Sequence, residues 1–249
     1  MADDDVALTE GELEQARSNR EGLQWLSEVE GSALETAQPG GAPSSTPISG
    51  VAFDLIVEFE VSSEQVYTRK YRGPIWPGGA SGVTIGIGYD VGYANAPTLA
   101  TDFGGTIPRP MIDALRSTIG KTGAIAEHVA RDLADQVDVP WTAAISVHRA
   151  RVMPRWIGLV ERSLPNAAAI GPDCLGALVS LTYNRGASYP KAGDRYEEMR
   201  AIKAHMGARA FDRIPGELRS MKRLWPTVPG LQKRREREAQ LFEAGLRAV

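Results

Sequence analysis

One segment, Ser81-Gly-Val-Thr-Ile-Gly-Ile-Gly-Tyr-Asp-Val-Gly92, interrupts a chain whose other patterns are almost all helical, and it limits the folds available. Its β-branched residues favour extended backbone, and glycines at 86 and 88 strip one strand face of side chains, so that backbone or a polymer can approach closely. Tyr67 to Asp90 as a whole is rich in Gly, aromatic and β-branched residues, which predicts a short irregular sheet. Val51 to about Ser63 reads as a helix before it. Beyond Pro97 the periodicity predicts helices over Ile107 to Ile119, Ala124 to Gln136, Trp141 to Leu164, Asp173 to Asn184, Asp194 to His205, Arg209 to Leu224 and Leu231 to Leu246. A small sheet placed after the first helix of a mainly helical domain is an α+β layout.

Charge and composition divide the 249 residues near position 50. Residues 1–50 hold ten acids against Arg17 and Arg20, a balance of -8, which leaves 26 bases and 21 acids, or +5, for residues 51–249. Thr9 and Glu12 make a capping box that predicts an N-terminal helix to about residue 30, and the Pro/Gly/Ser/Thr run from Gln38 to Gly50 reads as a flexible linker. The reading is therefore an acidic leader and linker over 1–50 and a main domain over 51–249. No run approaches the ~18 apolar residues of a membrane span, and Met1-Ala2-Asp3-Asp4-Asp5 is unlike a signal peptide. We expect synthesis in the cytoplasm and no integral membrane association. A lone Cys174 and the scattered His128, His148 and His205 give no disulfide framework and no metal-ligand spacing, so no cofactor is expected.

The helix before the sheet carries the clearest chemistry. At about 100° per residue, Ala52, Phe53, Leu55, Ile56, Val57 and Phe59 centre on one arc; Asp54 and Glu58 point away, and Glu60 falls inside it. A carboxyl there is partly desolvated and suited to hold a proton as a general acid. A frayed helix end that lets Glu60 reach water is the alternative. Gly86-x-Gly88 lacks the third glycine of a dinucleotide fingerprint, and Gly79-Ala-Ser81-Gly82 is no nucleophile elbow. Cys174 with His128 or His205 would make a peptidase pair, but its apolar helix suits a buried thiol. The run Arg219, Lys222, Arg223, Lys233, Arg234, Arg235, Arg237 is either a grip for anionic polymers or a solvated helix face, with Arg235 able to pair with Glu238. It has no interleaved aromatics, so no nucleic acid is expected.

Glu60, Tyr67 and Thr84-Ile-Gly-Ile-Gly88 resemble the Glu...Tyr...Thr-Ile-Gly-x-Gly signature of the phage-type lysozymes, the muramidases of phage endolysins and some bacterial effectors. Ala177-Leu-Val-Ser-Leu-Thr-Tyr-Asn-Arg-Gly186 is similar to that family's helix ending in aromatic-Asn-x-Gly, and Gly230-Leu-Gln-Lys-Arg-Arg-Glu-Arg-Glu238 to its closing Gly-Leu-x-x-Arg-Arg-x-x-Glu helix. The resemblance spans 51–246 and implies a lysozyme-like fold with a muramidase cleft. In it Glu60 would protonate the glycosidic oxygen and Thr84 would position a water or support the second step.

The family's second carboxylate lies two residues after the tyrosine, where this chain has Arg69, followed by the insertion Tyr71-Arg-Gly-Pro-Ile-Trp-Pro-Gly-Gly79. Asp90 is the nearest acidic replacement, unless it only accepts backbone N–H groups in its turn; Ser81 or Glu64 could instead hold a water. Tyr89, Tyr183, Asn184 and Trp76 complete the expected substrate-binding set. Tyr183 and Asn184 could equally be a helix C-cap, and Trp76 a core-packing residue. The implied function is cleavage of the β-1,4 bond between N-acetylmuramic acid and N-acetylglucosamine in peptidoglycan, by an endolysin or an exported antibacterial effector with a secretion apparatus or immunity partner. A one-carboxylate lytic transglycosylase and a non-catalytic peptidoglycan-binding module are the alternatives.

Overall fold

A computed structural model describes residues 39–248; the helix expected over residues 9–30 lies outside them. Helix α1 (Gly50–Val61) starts where the Ser49 side chain accepts the Ala52 N–H, and it buries Ala52, Phe53, Leu55, Ile56, Val57, Phe59 and Val61. Ser62 takes positive φ and stops it. Helix α2 (Glu64–Lys70) follows at once, capped by Ser63, with Glu64 in its first turn and Arg69 and Lys70 in its last. The expectation that Tyr67 opens the sheet is therefore corrected. A cap and dipole-matched charges outweigh the β preference of Val66 and Tyr67, which both turn inward.

The sheet is smaller than the composition suggests. Strands β1 (Thr84–Ile85) and β2 (Tyr89–Asp90) pair antiparallel, with Thr84 opposite Asp90 and Ile85 opposite Tyr89. Gly86 and Gly88 turn the hairpin in the left-handed region, at φ 57° and 69°. Helices α3 (Ala96–Phe103), α4 (Arg109–Arg116) and α5 (Ala124–Asp132) then flank the hairpin lobe. The expected Trp141 to Leu164 helix exists as α6 (Trp141–Val147) and α7 (Met153–Ser163), joined by a π turn over His148–Val152. Helices α8 (Pro172–Arg185), α9 (Glu197–Ala208), α10 (Ile214–Ser220) and α11 (Pro229–Arg247) complete the chain.

Helix α8 is buried almost all round and sits at the centre, packed on α1, α7 and α11. A Cβ at Gly176 would collide with Ala52, so the missing side chain sets how closely α1 approaches. The fold is mainly helical with one two-stranded antiparallel sheet, an α+β arrangement. Among the described residues no helix is long and apolar enough to cross a membrane.

Residues 39–49, expected to be a flexible linker, instead form a strap on α7. The Arg162 guanidinium donates to the carbonyls of Ala42 (2.8 Å) and Gly40 (2.6 Å), and the Ser44 N–H donates to the Pro154 carbonyl at 2.8 Å. A Cβ at Gly158 would stand 2.6 Å from the Ala42 carbonyl, so the glycine leaves the strap its track. The run lacks apolar periodicity because its backbone, rather than its side chains, makes these contacts. Ordered packing thus extends ahead of the boundary expected at residue 50.

Candidate functional site

Glu60 occupies the last turn of α1 and faces inward, its side chain 4% exposed. Of the two placements open from the sequence, the inward-facing side chain is the one observed. Its Oε1 accepts from Arg234 Nη1 at 2.9 Å, and its Oε2 borders the hairpin tip, where a Cβ on Gly88 would lie 3.2 Å away. Any side chain at 88 would occupy the space between Glu60 and Tyr183, whose hydroxyl would be 2.9 Å from that Cβ. The Tyr183 hydroxyl donates to the Ile87 carbonyl at 3.1 Å. Burial, then the Glu60 charge, push that phenol well above its ordinary range, with Arg234 opposing, so it remains a donor.

Arg234 is itself 2% exposed and holds more than Glu60. Its Nη2 donates to the Ser180 carbonyl at 3.1 Å, and its Nε to Ser180 Oγ and Glu238 Oε1, both at 3.3 Å. Glu238 Oε1 also accepts from Ser180 Oγ at 2.6 Å and Arg235 Nη2 at 2.8 Å. The α11 motif therefore builds a buried charge chain that ends on Glu60. A buried pair is held in place by the cost of stripping either partner, several kcal/mol, more than by its own net attraction. Sequence reasoning placed Arg234 in a basic run and missed this role; the Arg-Arg-x-x-Glu spacing was the available signal.

Thr84 and Asp90 oppose each other on one hairpin face. Both oxygens of Asp90 accept backbone N–H groups, from Gly82 at 2.8 Å and Gly92 at 2.9 Å, which is the structural arrangement of the two considered. Burial raises its pKa to about 6, while N–H donors from Gly82, Gly92 and Tyr93 pull the other way. The Thr84 hydroxyl is buried and donates to the Gly82 carbonyl at 3.4 Å. Tyr89 is a correction. Strand alternation turns it to the opposite face, where its ring meets Phe103 edge-on at 5.0 Å and its hydroxyl donates to Asp102 at 2.9 Å. Asp102 is also gripped by Arg155, so Tyr89 ties the hairpin to α3 and α7 and presents no surface to a ligand.

Trp76 packs on Val83, Ala126 and Ala130, and its Nε1 donates to the Ser81 carbonyl at 3.1 Å, so it pins the insertion onto α5. Tyr183 is edged by His148 at 5.7 Å and lies 4.8 Å from the Trp156 ring, which leaves its hydroxyl end for the site. The α8 cap is Gly186, at φ 67°; Asn184 stays helical and 3% exposed. Neither Asn184 amide atom has a hydrogen-bond partner among the described residues. Asn184 lies one turn beyond Ser180 on α8.

Tyr67, from the family signature, is fully buried and donates to the Val139 carbonyl at 2.9 Å, a tie between α2 and the segment before α6. Cys174 is buried and donates to the Phe242 carbonyl, and burial pushes its thiol up to about 11, the reverse of a nucleophile. Arg219, Lys222 and Arg223 are engaged by Glu236, Glu243, Glu198 and Asp194, so the basic run is no open anionic-polymer grip. Among the described residues no group of His, Cys, Asp and Glu could hold a metal ion. The chain matches no protein-family model and no curated protein.

Proposed function

We propose that this chain is a lysozyme-like muramidase that cleaves the β-1,4 bond between N-acetylmuramic acid and N-acetylglucosamine in peptidoglycan, with Glu60 as the acid. The observation that carries this reading is the convergence on Glu60. A buried carboxylate, a hairpin tip whose glycine lets the backbone come close to it, a neutral tyrosine hydroxyl and a fixed guanidinium meet at one point. Acid catalysis requires Glu60 to bear a proton when the glycosidic oxygen arrives. Arg234 also donates to Ser180 and Glu238, so its guanidinium is held in place independently of Glu60. When Glu60 then yields that proton to the leaving oxygen, the same guanidinium is in place to stabilise the carboxylate that forms.

A one-carboxylate transglycosylase is the second reading, favoured by one observation. Both Asp90 oxygens already serve backbone N–H groups and Arg69 stands where the family's second acid would be, so the sugar's own C6 hydroxyl becomes the nucleophile. Digestion of purified peptidoglycan followed by mass spectrometry of the fragments tests both. Reducing ends support the hydrolase, anhydro ends the transglycosylase, and an uncut polymer with retained binding leaves a binding module. Glu60→Gln should abolish cleavage while leaving binding intact.

A further inference from the structure

Arg235 follows Arg234 on α11 and is fully buried, yet it is far less well served by hydrogen bonds. Its Nη2 donates to Glu238 Oε1 at 2.8 Å, while Nε and Nη1 have no hydrogen-bond partner among the described residues. The guanidinium lies against the Trp225 ring, with Cζ 5.8 Å from the centroid, and Arg185 Cζ stands 4.9 Å from the same centroid. Burial, opposed by the Glu238 charge and helped by Arg234 and Arg185, brings Arg235 down to about 9, so it still carries its charge at neutral pH. A buried charge with so few partners costs more than an apolar side chain of similar volume, and packing alone does not account for it.

The two oxygens of Glu238 supply a reason. Oε1 takes Ser180 Oγ at 2.6 Å, Arg235 Nη2 at 2.8 Å and Arg234 Nε at 3.3 Å, whereas Oε2 is buried with no hydrogen-bond partner among the described residues. A carboxylate and a guanidinium pair most strongly through two parallel bonds, but Glu238 makes one long bond to Arg234. Arg234 meanwhile spreads its donors over Glu60, the Ser180 carbonyl, Ser180 Oγ and Glu238. Were Glu238 to offer Arg234 both oxygens, the two-bond pair would draw the guanidinium off its other acceptors, Glu60 among them. We infer that Arg235 is a positioning residue: by holding Glu238 through Oε1 it keeps that carboxylate from capturing Arg234, and so reserves Arg234 Nη1 for Glu60. Only the catalytic consequence rests on the muramidase reading; the contest of two carboxylates for one guanidinium does not.

The test reads the Glu60 carboxyl by its side-chain NMR resonance, assigned through its loss in Glu60→Gln, with amide exchange in α8 as the control for packing. Arg235→Met removes the hold on Glu238 and keeps much of the bulk. In it the Glu60 resonance should leave its wild-type position while α8 amides exchange within about twofold of wild type. On peptidoglycan kcat should fall about tenfold with KM within about twofold. Adding Glu238→Gln takes away the charge that competes for Arg234, so the double variant should regain the wild-type Glu60 resonance and most of kcat. Arg235→Lys, which keeps a donor for Oε1, should regain part of both. An unmoved Glu60 resonance in Arg235→Met overturns the inference, as does a double variant no better than the single one. Faster α8 exchange in single and double variants alike also overturns it, making Arg235 a plain packing residue. If Arg235→Met does not fold, the double variant decides: a Glu60 resonance away from its wild-type position overturns the inference, and one at that position supports it. If the wild-type chain cuts no peptidoglycan, the functional reading falls while the resonances still show which carboxylate holds Arg234.

Discussion

Arg234 reaches Glu60 across 174 residues of sequence, and its removal strands the buried Glu60 carboxyl and takes from Glu238 one of its three donors. Arg234→Ala should lower unfolding free energy by about 3–5 kcal/mol in urea titrations. Glu60→Gln should cost clearly less, because Arg234 keeps its Ser180 and Glu238 acceptors. Asp90 makes a pH-dependent contribution of unusual sign. Its folded pKa of about 6 lies above the ordinary 3.8, so between those values the folded state binds more protons than the unfolded one. Stability supplied through Asp90 should therefore grow as pH falls from about 7 to 4. Relative to Asp90→Asn, the wild type should gain on the order of 3 kcal/mol over that range, and a flat difference would refute the assignment. The inward face of Glu60 was legible because helix geometry alone sets it. Its partner was not, since a guanidinium on the last helix leaves no trace in local spacing. Tyr89 was misjudged because its neighbour Asp90 drew it into the site, whereas alternation puts the two on opposite faces.

Most helices were readable from apolar period and Pro/Gly breaks, within a few residues at their ends. Two were not: α2, hidden by its aromatic and β-branched content, and α3, where Asn95 caps an eight-residue helix too short to show a period. The π turn was equally invisible, since it leaves the apolar pattern of α6 and α7 nearly continuous. The strap is the largest departure, and Gly158 tests it. Gly158→Ala gains about 1 kcal/mol of helix propensity but drives a methyl into the Ala42 carbonyl. The expected outcome is little change in overall stability with severalfold faster proteolysis within residues 39–48. Cleavage at the wild-type rate would mean the strap is not seated on α7.

At the level of the whole molecule, α8 is the wall shared by the helical body and the site, with Leu178 fully buried at its middle and Tyr183 touching the hairpin near its end. Leu178→Ala should cost about 2–5 kcal/mol in a single cooperative transition. The α+β layout was legible from where the glycine segment falls among helical patterns. The course of residues 39–49 was not. Ser49 meets Pro172 at one end of α8, roughly 16 Å along the axis from Tyr183, and the strap runs on from there over α7. Deleting residues 1–38 should leave melting temperature and specific activity unchanged, and deletion through residue 49 should lower the melting temperature. The strap also gives the domain a mechanical polarity. Tension on the chain ahead of Gly40 would first peel the Arg162 contacts and then the Ser44 bond, one at a time like a zipper. The next element under load is α1, the helix that carries Glu60, so hauling this molecule by its front end would pull apart the Glu60–Arg234 cluster early and leave the rest of the bundle to follow.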